Sequence, residues 1–409
     1  MDRRDGAKRH ADRFEDPQMP DANLSSPVAR AVTTQPPIQF IDLGAQRRRI
    51  GPRMDEAILS VVHSGQYIMG PQVHELERQL AAFCGAKHVL SCSSGTDALA
   101  LYLMARGVRP GDAVLIPAFT FAATAEVVAW LGATALFVDV LPDSFNMDPA
   151  SLAVGIDTAK RLGLRPVGVI TVDLYGQPAD YDRLLPIAAD AGLWVMCDAA
   201  QSFGAHYRER AVGTIGDVTA TSFYPAKPLG CYGDGGALFL DDDGLAAVMR
   251  SLRVHGEGEH KYDNVRVGMN GRMDTLQAAV LLEKLRVFPD EIAARARAAA
   301  TYGALLGGIV RTPALGAGNT SVWAQYTIRV PERDLVAARL KELGVPTAIH
   351  YPKPLHRQPA YAHHPQAGNG LPVAETLAAE VLSLPMHADL DDAMITRVAE
   401  AVRQAVAKR

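Results

Sequence analysis

The stretch Thr221-Ser222-Phe223-Tyr224-Pro225-Ala226-Lys227-Pro228-Leu229-Gly230 decides how the rest of the chain is read. Two prolines, at 225 and 228, bracket one lysine. Proline lacks the N–H that a helix interior needs, and it pushes the residue before it into extended backbone. Lys227 therefore belongs to a loop. A β-forming run at 218–223 leads into that loop, and a glycine-rich turn at 230–236 leads out. A lone loop lysine is ordinarily a solvated surface residue. This one has an aspartate at the end of an apolar strand upstream of it, and an anion-type loop and an aromatic before that.

Outward from this stretch, apolar runs of strand length alternate with helical patterns. Strands are expected at 88–92, 113–117, 133–140, 167–174, 193–198, 218–223 and 236–240. Helices are expected at 97–106, 122–131 and 181–191, preceded by two more at 47–63 and 73–83. The rhythm implies an α/β fold with a mostly parallel sheet covered on both faces. Ligands of such sheets bind beyond the carboxyl ends of the strands. A long helical segment follows Arg272 to about 306, with a break expected at Pro289. A strand at 325–330, a helix at 334–343, a strand at 347–351 and a terminal helix from 391 then read as a smaller α+β domain. The expected division is a disordered N-terminal extension at 1–37, a large domain at 38–285 and a small C-terminal domain at 286–409.

With 409 residues, 48% of them hydrophobic, the chain has enough apolar side chains for a sizeable core in two domains. A net charge of -4 gives no positive field for nucleic acid. The four cysteines form no CxxC pair and read as inert buried thiols of a reducing compartment. The first 37 residues mix both charges with proline and lack the apolar core of a signal peptide. No apolar run is long enough to span a bilayer. A cytoplasmic protein without membrane contact is expected. His255, His260, His356, His363, His364 and His387 show no zinc-type spacing, so no metal is expected.

The chemistry lies in four motifs. Ser93-Ser94-Gly95-Thr96-Asp97 follows a strand and opens a helix. Small residues there let backbone N–H groups approach an anion, which the helix dipole favours, and Gly95 and Thr96 are the natural phosphate donors. The plainer reading is a helix capped by Ser94 or Thr96. Phe121, at a strand-to-helix junction, can stack on a flat ring or simply fill the core. Asp198 ends the strand Leu193-Trp194-Val195-Met196-Cys197. A carboxylate there is costly to bury unpaired, and a pyridinium nitrogen is one suitable partner, a helix cap or salt bridge another. Ala200 would leave room against the ring and Gln201 would reach its oxygen. Ser222 adds a hydroxyl for the phosphate. Gly95, Thr96, Phe121, Asp198, Ala200, Gln201, Ser222 and Lys227 together supply the contacts that pyridoxal 5'-phosphate (PLP) requires. No GxxxxGK loop is present and no GxGxxG follows the first strand, which leaves nucleotide hydrolysis and dinucleotide binding without support.

The segments SSGTDAL, TFAATAE, DAAQSFGA, TSFYPAKPLGCYGDGGA and GMNGRMDTLQAA resemble the DegT/StrS-type sugar aminotransferases, a branch of the aspartate aminotransferase fold. The likeness runs from about residue 39 to the C-terminus. FIDLGAQRRRI, AQYTIRV and HYPKPLHRQPAY are most similar to transaminases of UDP-2-acetamido-2-deoxy-3-keto-glucuronic acid. The resemblance implies a fold type I PLP-dependent transferase whose Lys227 holds the cofactor and later shuttles a proton. It implies glutamate as donor, 2-oxoglutarate as co-product, and a surface polysaccharide (O-antigen) precursor as the destination. It implies a homodimer with shared active sites, in which Asn270 reaches the partner's phosphate. Read alone, Asn270 is a polar residue at a helix start. The resemblance also implies that Arg272 meets the sugar carboxylate, with His350 and Tyr351 near the nucleotide sugar. A guanidinium suits a carboxylate because it grips both oxygens. Arg253, Lys353 and Arg357 are further candidate diphosphate contacts. Two alternatives remain at this stage: an aminotransferase of a neutral 3-keto or 4-keto nucleotide sugar, or a non-catalytic PLP-binding regulator on the same scaffold.

Overall fold

Seven strands form the central sheet of the computed structural model, which describes residues 37–407. The extension expected at 1–37 lies outside the described residues save for Pro37. Three helices come first: α1 (Leu43–Ile50), α2 (Pro52–Ser64) and α3 (Pro71–Cys84). The single helix expected at 47–63 is in fact α1 and α2. Gly51, at φ 68°, turns the chain in a conformation that only glycine adopts freely, and Pro52 restarts the helix at its first position.

The α/β body then reads β1 (His88–Cys92), α4 (Gly95–Ala105), β2 (Asp112–Pro117), α5 (Ala123–Trp130), β3 (Thr134–Val138), α6 (Pro149–Arg161), β4 (Arg165–Val172), α7 (Tyr181–Asp190) and β5 (Trp194–Asp198). A small hairpin of β6 (His206–Tyr207) and β7 (Arg210–Ala211) precedes β8 (Val218–Ser222), β9 (Gly236–Leu240) and α8 (Asp243–Leu252). The spatial order is β1-β9-β8-β5-β4-β2-β3. Neighbours from β3 through β2, β4 and β5 to β8 are parallel, while β9 runs antiparallel to β8 and β1. The fold is the mostly parallel, mixed α/β sheet expected. Strands β2, β5 and β9 are buried along their whole length, the signature of a sheet covered on both faces.

Helix α9 (Thr275–Leu306) passes through Pro289 without the expected break. An interior proline forfeits one backbone hydrogen bond and costs about 3 kcal/mol. Burial offsets that on both sides. Leu281, Leu285 and Phe288 pack with Met54, Val73 and Leu76 of α2 and α3. Ala298, Tyr302 and Leu306 belong to a separate apolar cluster with β10 (Tyr326–Arg329), α10 (Arg333–Glu342) and α12 (Asp392–Ala407). There β10 pairs antiparallel with β11 (Val381–Leu384), which follows α11 (Pro372–Glu380) directly. The strand expected at 347–351 is reduced to a single bridge, Ala348 to Ser383. The chain then leaves the small sheet and carries His350 and Tyr351 towards the ends of β4 and β5.

Candidate active site

Asp198 ends β5 and is 7% exposed. Its Oδ1 accepts the Ala200 N–H at 3.1 Å, and its Oδ2 has only a long contact, 3.4 Å, from the Thr124 hydroxyl. Burial raises its pKa, against the opposing effects of Ala200, Lys227 and Thr124. Lys227 follows β8, the strand next to β5. Its own N–H bonds to Tyr224 O at 2.8 Å and closes the loop as a tight turn. Part of its surface stays accessible, yet loss of hydration dominates and lowers its pKa, with the charge of Asp198 opposing. Each group thus perturbs the other, and burial disfavours both charges.

Around this pair the structure collects most of the expected residues. Gln201 Oε1 accepts the Tyr175 N–H at 2.7 Å, and its Nε2 donates to the Tyr351 hydroxyl at 3.2 Å. The Tyr351 ring lies 6.2 Å from that of Phe121 and 5.9 Å from that of His350. Phe121 is 56% exposed and so is not a core residue. His350 Nδ1 pairs with the Ser383 hydroxyl at 3.0 Å. Burial and then the Lys227 charge push the His350 pKa down to about 4, which keeps the ring neutral near pH 7. Tyr175 binds from the other side, donating its hydroxyl to His350 O.

The anion loop sits one strand end further on. Ser94 caps α4, its Oγ accepting the Asp97 N–H at 3.0 Å. The plainer reading of the motif is therefore correct as far as it goes. It leaves Gly95 and Thr96 free, half-buried at the head of the helix. A Cβ on Gly95 would lie 2.6 Å from the Ser222 Cβ, so only glycine lets the helix start approach the end of β8. Together they shape a cradle lined by backbone N–H groups and the Ser222 hydroxyl.

Gly271 O accepts the Ser93 N–H at 3.1 Å, which seats Arg272 beside this cradle. Arg272 is half-buried, and its buried Nε has no hydrogen-bond partner. It precedes α9 and is not a helix-surface arginine. Asn270 is exposed and bridges Val254; it too lies outside a helix start. Arg253 is buried instead, its Nη1 donating to Glu77 Oε1 at 2.6 Å and Ser91 O at 2.7 Å. Its backbone carbonyl accepts the Gly271 N–H, so Arg253 braces the segment that carries Arg272. Arg357 is held by Glu375. Arg253 is thus engaged inside the protein, whereas Arg357 keeps 62% of its side chain exposed beside that carboxylate.

Thr124, Asp173 and Tyr175 were not singled out from the sequence. Thr124 lies one helical turn after Phe121 and carried the same junction signal. Asp173 follows an apolar run just as Asp198 does, but it falls inside the strand expected at 167–174 and not at its end. The set fits PLP on this structure's own terms: a buried carboxylate with little neutralisation, a glycine-only cradle at a helix head, an exposed aromatic and a partly dehydrated lysine.

A model of the DegT/DnrJ/EryC1/StrS aminotransferase family matches residues 48–403. The chain is 49% identical over 366 residues to a UDP-2-acetamido-2-deoxy-3-oxo-D-glucuronate aminotransferase of Pseudomonas aeruginosa, covering 89% of this chain and 99% of that protein. The structure of a DegT DnrJ EryC1 StrS aminotransferase from Brucella abortus superposes with a TM-score of 0.89 at 52% identity, over 90% of this chain and 99% of that one. DesV of S. venezuelae, solved in complex with a ketimine intermediate, superposes with a TM-score of 0.86 at 38% identity, over 92% and 100%.

Proposed function

The chain belongs to the DegT/DnrJ/EryC1/StrS aminotransferase family, and from that premise we propose which sugar it aminates and which residues do the work. It is a PLP-dependent aminotransferase of nucleotide-linked keto sugars. The substrate proposed is UDP-2-acetamido-2-deoxy-ribo-hex-3-uluronic acid, aminated at its 3-keto carbon with glutamate as donor and 2-oxoglutarate as co-product. The product fits a surface polysaccharide (O-antigen) precursor made in the cytoplasm. The observation that carries the catalytic reading is the Asp198–Lys227 juxtaposition, a buried carboxylate at the end of β5 and a partly dehydrated lysine in the loop after the neighbouring β8.

When bound, the cofactor supplies an electron sink for the carbon that loses its proton. Asp198 would pair with its ring nitrogen and keep that nitrogen protonated, gaining the cation that burial leaves it wanting. Gly95, Thr96 and Ser222 hold the phosphate at the head of α4. Phe121 and Ala200 would hold the faces of its ring, and Gln201, steadied by Tyr175 and Tyr351, would bind its oxygen. Lys227 Nζ must be neutral to act as nucleophile or base, the form that burial favours. It accepts the proton from the donor's α-carbon and later returns one to the sugar carbon. His350 and Tyr351 line the approach of the nucleotide sugar.

Arg272 is assigned to the uronate carboxylate. Its unpartnered Nε supports a bidentate grip, and the 49%-identical relative is named for a carboxylated sugar. The protein acts as a homodimer. Tyr262 and Val267, 88% and 90% exposed on the segment between Val254 and Asn270, support a surface that a second copy covers. Asn270 of the partner subunit then completes the phosphate site. The test is a glutamate-dependent assay over UDP-ketosugars with and without a carboxylate. Turnover of the 3-keto uronate is expected; turnover of neutral sugars alone would overturn the substrate assignment.

A further inference from the structure

Asp173 sits at the end of β4, directly beside Asp198. Its N–H donates to Asp198 O at 3.1 Å. Its carboxylate is fully buried and accepts four donors. Oδ1 takes the Ala179 N–H at 2.8 Å and the Tyr181 hydroxyl at 2.7 Å. Oδ2 takes the Ser202 hydroxyl at 2.9 Å and the Cys197 thiol at 3.3 Å. No counter-cation pairs with it among the described residues, and four convergent donors are what holds such an anion in place.

The identity of those donors gives the arrangement its meaning. Cys197 is the residue before Asp198, and Ser202 is the residue after Gln201. One carboxylate therefore ties down both ends of the strip 198–201. That strip carries the carboxylate, the small side chain and the amide assigned to the cofactor ring. The other two donors, Ala179 just before α7 and Tyr181 at its start, tie Asp173 itself to the scaffold, and the Tyr181 hydroxyl also meets the Cys197 thiol at 2.8 Å. We propose that Asp173 is a positioning residue that clamps the strip 198–201 from its two ends and so sets where Asp198 and Gln201 meet the cofactor. This rests on the reading of Asp198 and Gln201 as PLP contacts.

The two sides of the clamp separate positioning from mere stability. Ser202→Ala cuts the link to the cofactor strip, whereas Tyr207→Phe cuts bonds to Asp180 and Asp182 at the start of α7 only. Asp173→Asn keeps the shape and both Ala179 and Tyr181 bonds, while Ser202 and Cys197 must reverse from donor to acceptor. The full-length holoenzyme of each variant is titrated with PLP and its visible absorption band followed against pH. Asp173→Asn and Ser202→Ala are expected to weaken PLP binding by roughly tenfold, the scale of one hydrogen bond to a charged group, and to move the pH midpoint of the band. Tyr207→Phe is expected to lower the melting temperature with dissociation constant and midpoint unchanged. Should Ser202→Ala leave both cofactor readouts unchanged, or Tyr207→Phe move them as far, the clamp is wrong although the site stands. A wild-type protein that shows no band would remove the site assignment and the clamp with it.

Discussion

Asp198 and Lys227 sit within electrostatic reach of each other, and burial acts against the charge of both. An aspartate that resists ionising and a lysine that resists protonation are a poor salt bridge. A protonated ring nitrogen beside the first and an aldehyde beside the second would relieve both, which is what the proposed cofactor would supply. Asp198→Asn removes the charge and keeps the shape. Losing one partner of a buried charge pair costs about 3–5 kcal/mol, so PLP affinity or turnover should fall by about a hundredfold or more. Equilibrium binding and single-turnover rates with glutamate check this.

Arg272→Ala should separate substrates. A hydrogen bond to a charged group is worth about 1.5–3 kcal/mol, so kcat/KM for the uronate should fall by roughly tenfold to a hundredfold. Turnover of a neutral keto sugar, where any is measurable, should stay within about threefold of wild type. Equal losses on both would remove the carboxylate role.

Lys284 gives a pH signature independent of the chemistry. It is 2% exposed and stacks over the Tyr232 ring at 4.5 Å. Burial lowers its pKa to about 8, with Glu291 and Cys231 opposing. Between about pH 8 and 10.5 the unfolded chain holds the proton that the folded chain has released. Stability from this group therefore rises with pH across that window, by up to about 3 kcal/mol, and is flat below it. Lys284→Met should abolish that rise and raise stability at pH 7. Urea melts at a series of pH values measure it.

In the proposed homodimer, Val267→Asp and Tyr262→Asp should favour monomers. An unpaired carboxylate placed in an apolar interface is costly to bury. Sedimentation should show the shift, and specific activity should fall by at least about tenfold, since removing a phosphate donor weakens the site. Variants that remain dimeric and fully active would contradict the shared-site reading.

Much of this was legible in the sequence because it rests on local rules. Prolines on either side of Lys227 exclude a helix whatever surrounds them, and an acid closing an apolar strand at Asp198 is conspicuous. The remainder depends on tertiary packing. Pro289 reads as a break, and only the apolar faces on both halves of α9 carry the helix through. Helix α6 went unseen although Asp148 caps it through the Ala150 and Ser151 N–H groups and Pro149 opens it. β11 follows α11 without a turn residue to mark it. Arg253 reads as a free cation in the sequence because its partner Glu77 is 176 residues away. Asp173 lay inside a run counted as strand, and its donors are scattered over residues 179–202.

The most direct measurement fixes the cofactor in place and asks where it is attached. The protein is incubated with PLP, reduced with borohydride, digested and mapped by mass spectrometry, with and without prior exposure to glutamate. The account predicts a pyridoxyl adduct on Lys227 alone, absent from Lys227→Ala and lost after glutamate. An adduct on another lysine, or none at all, would contradict it.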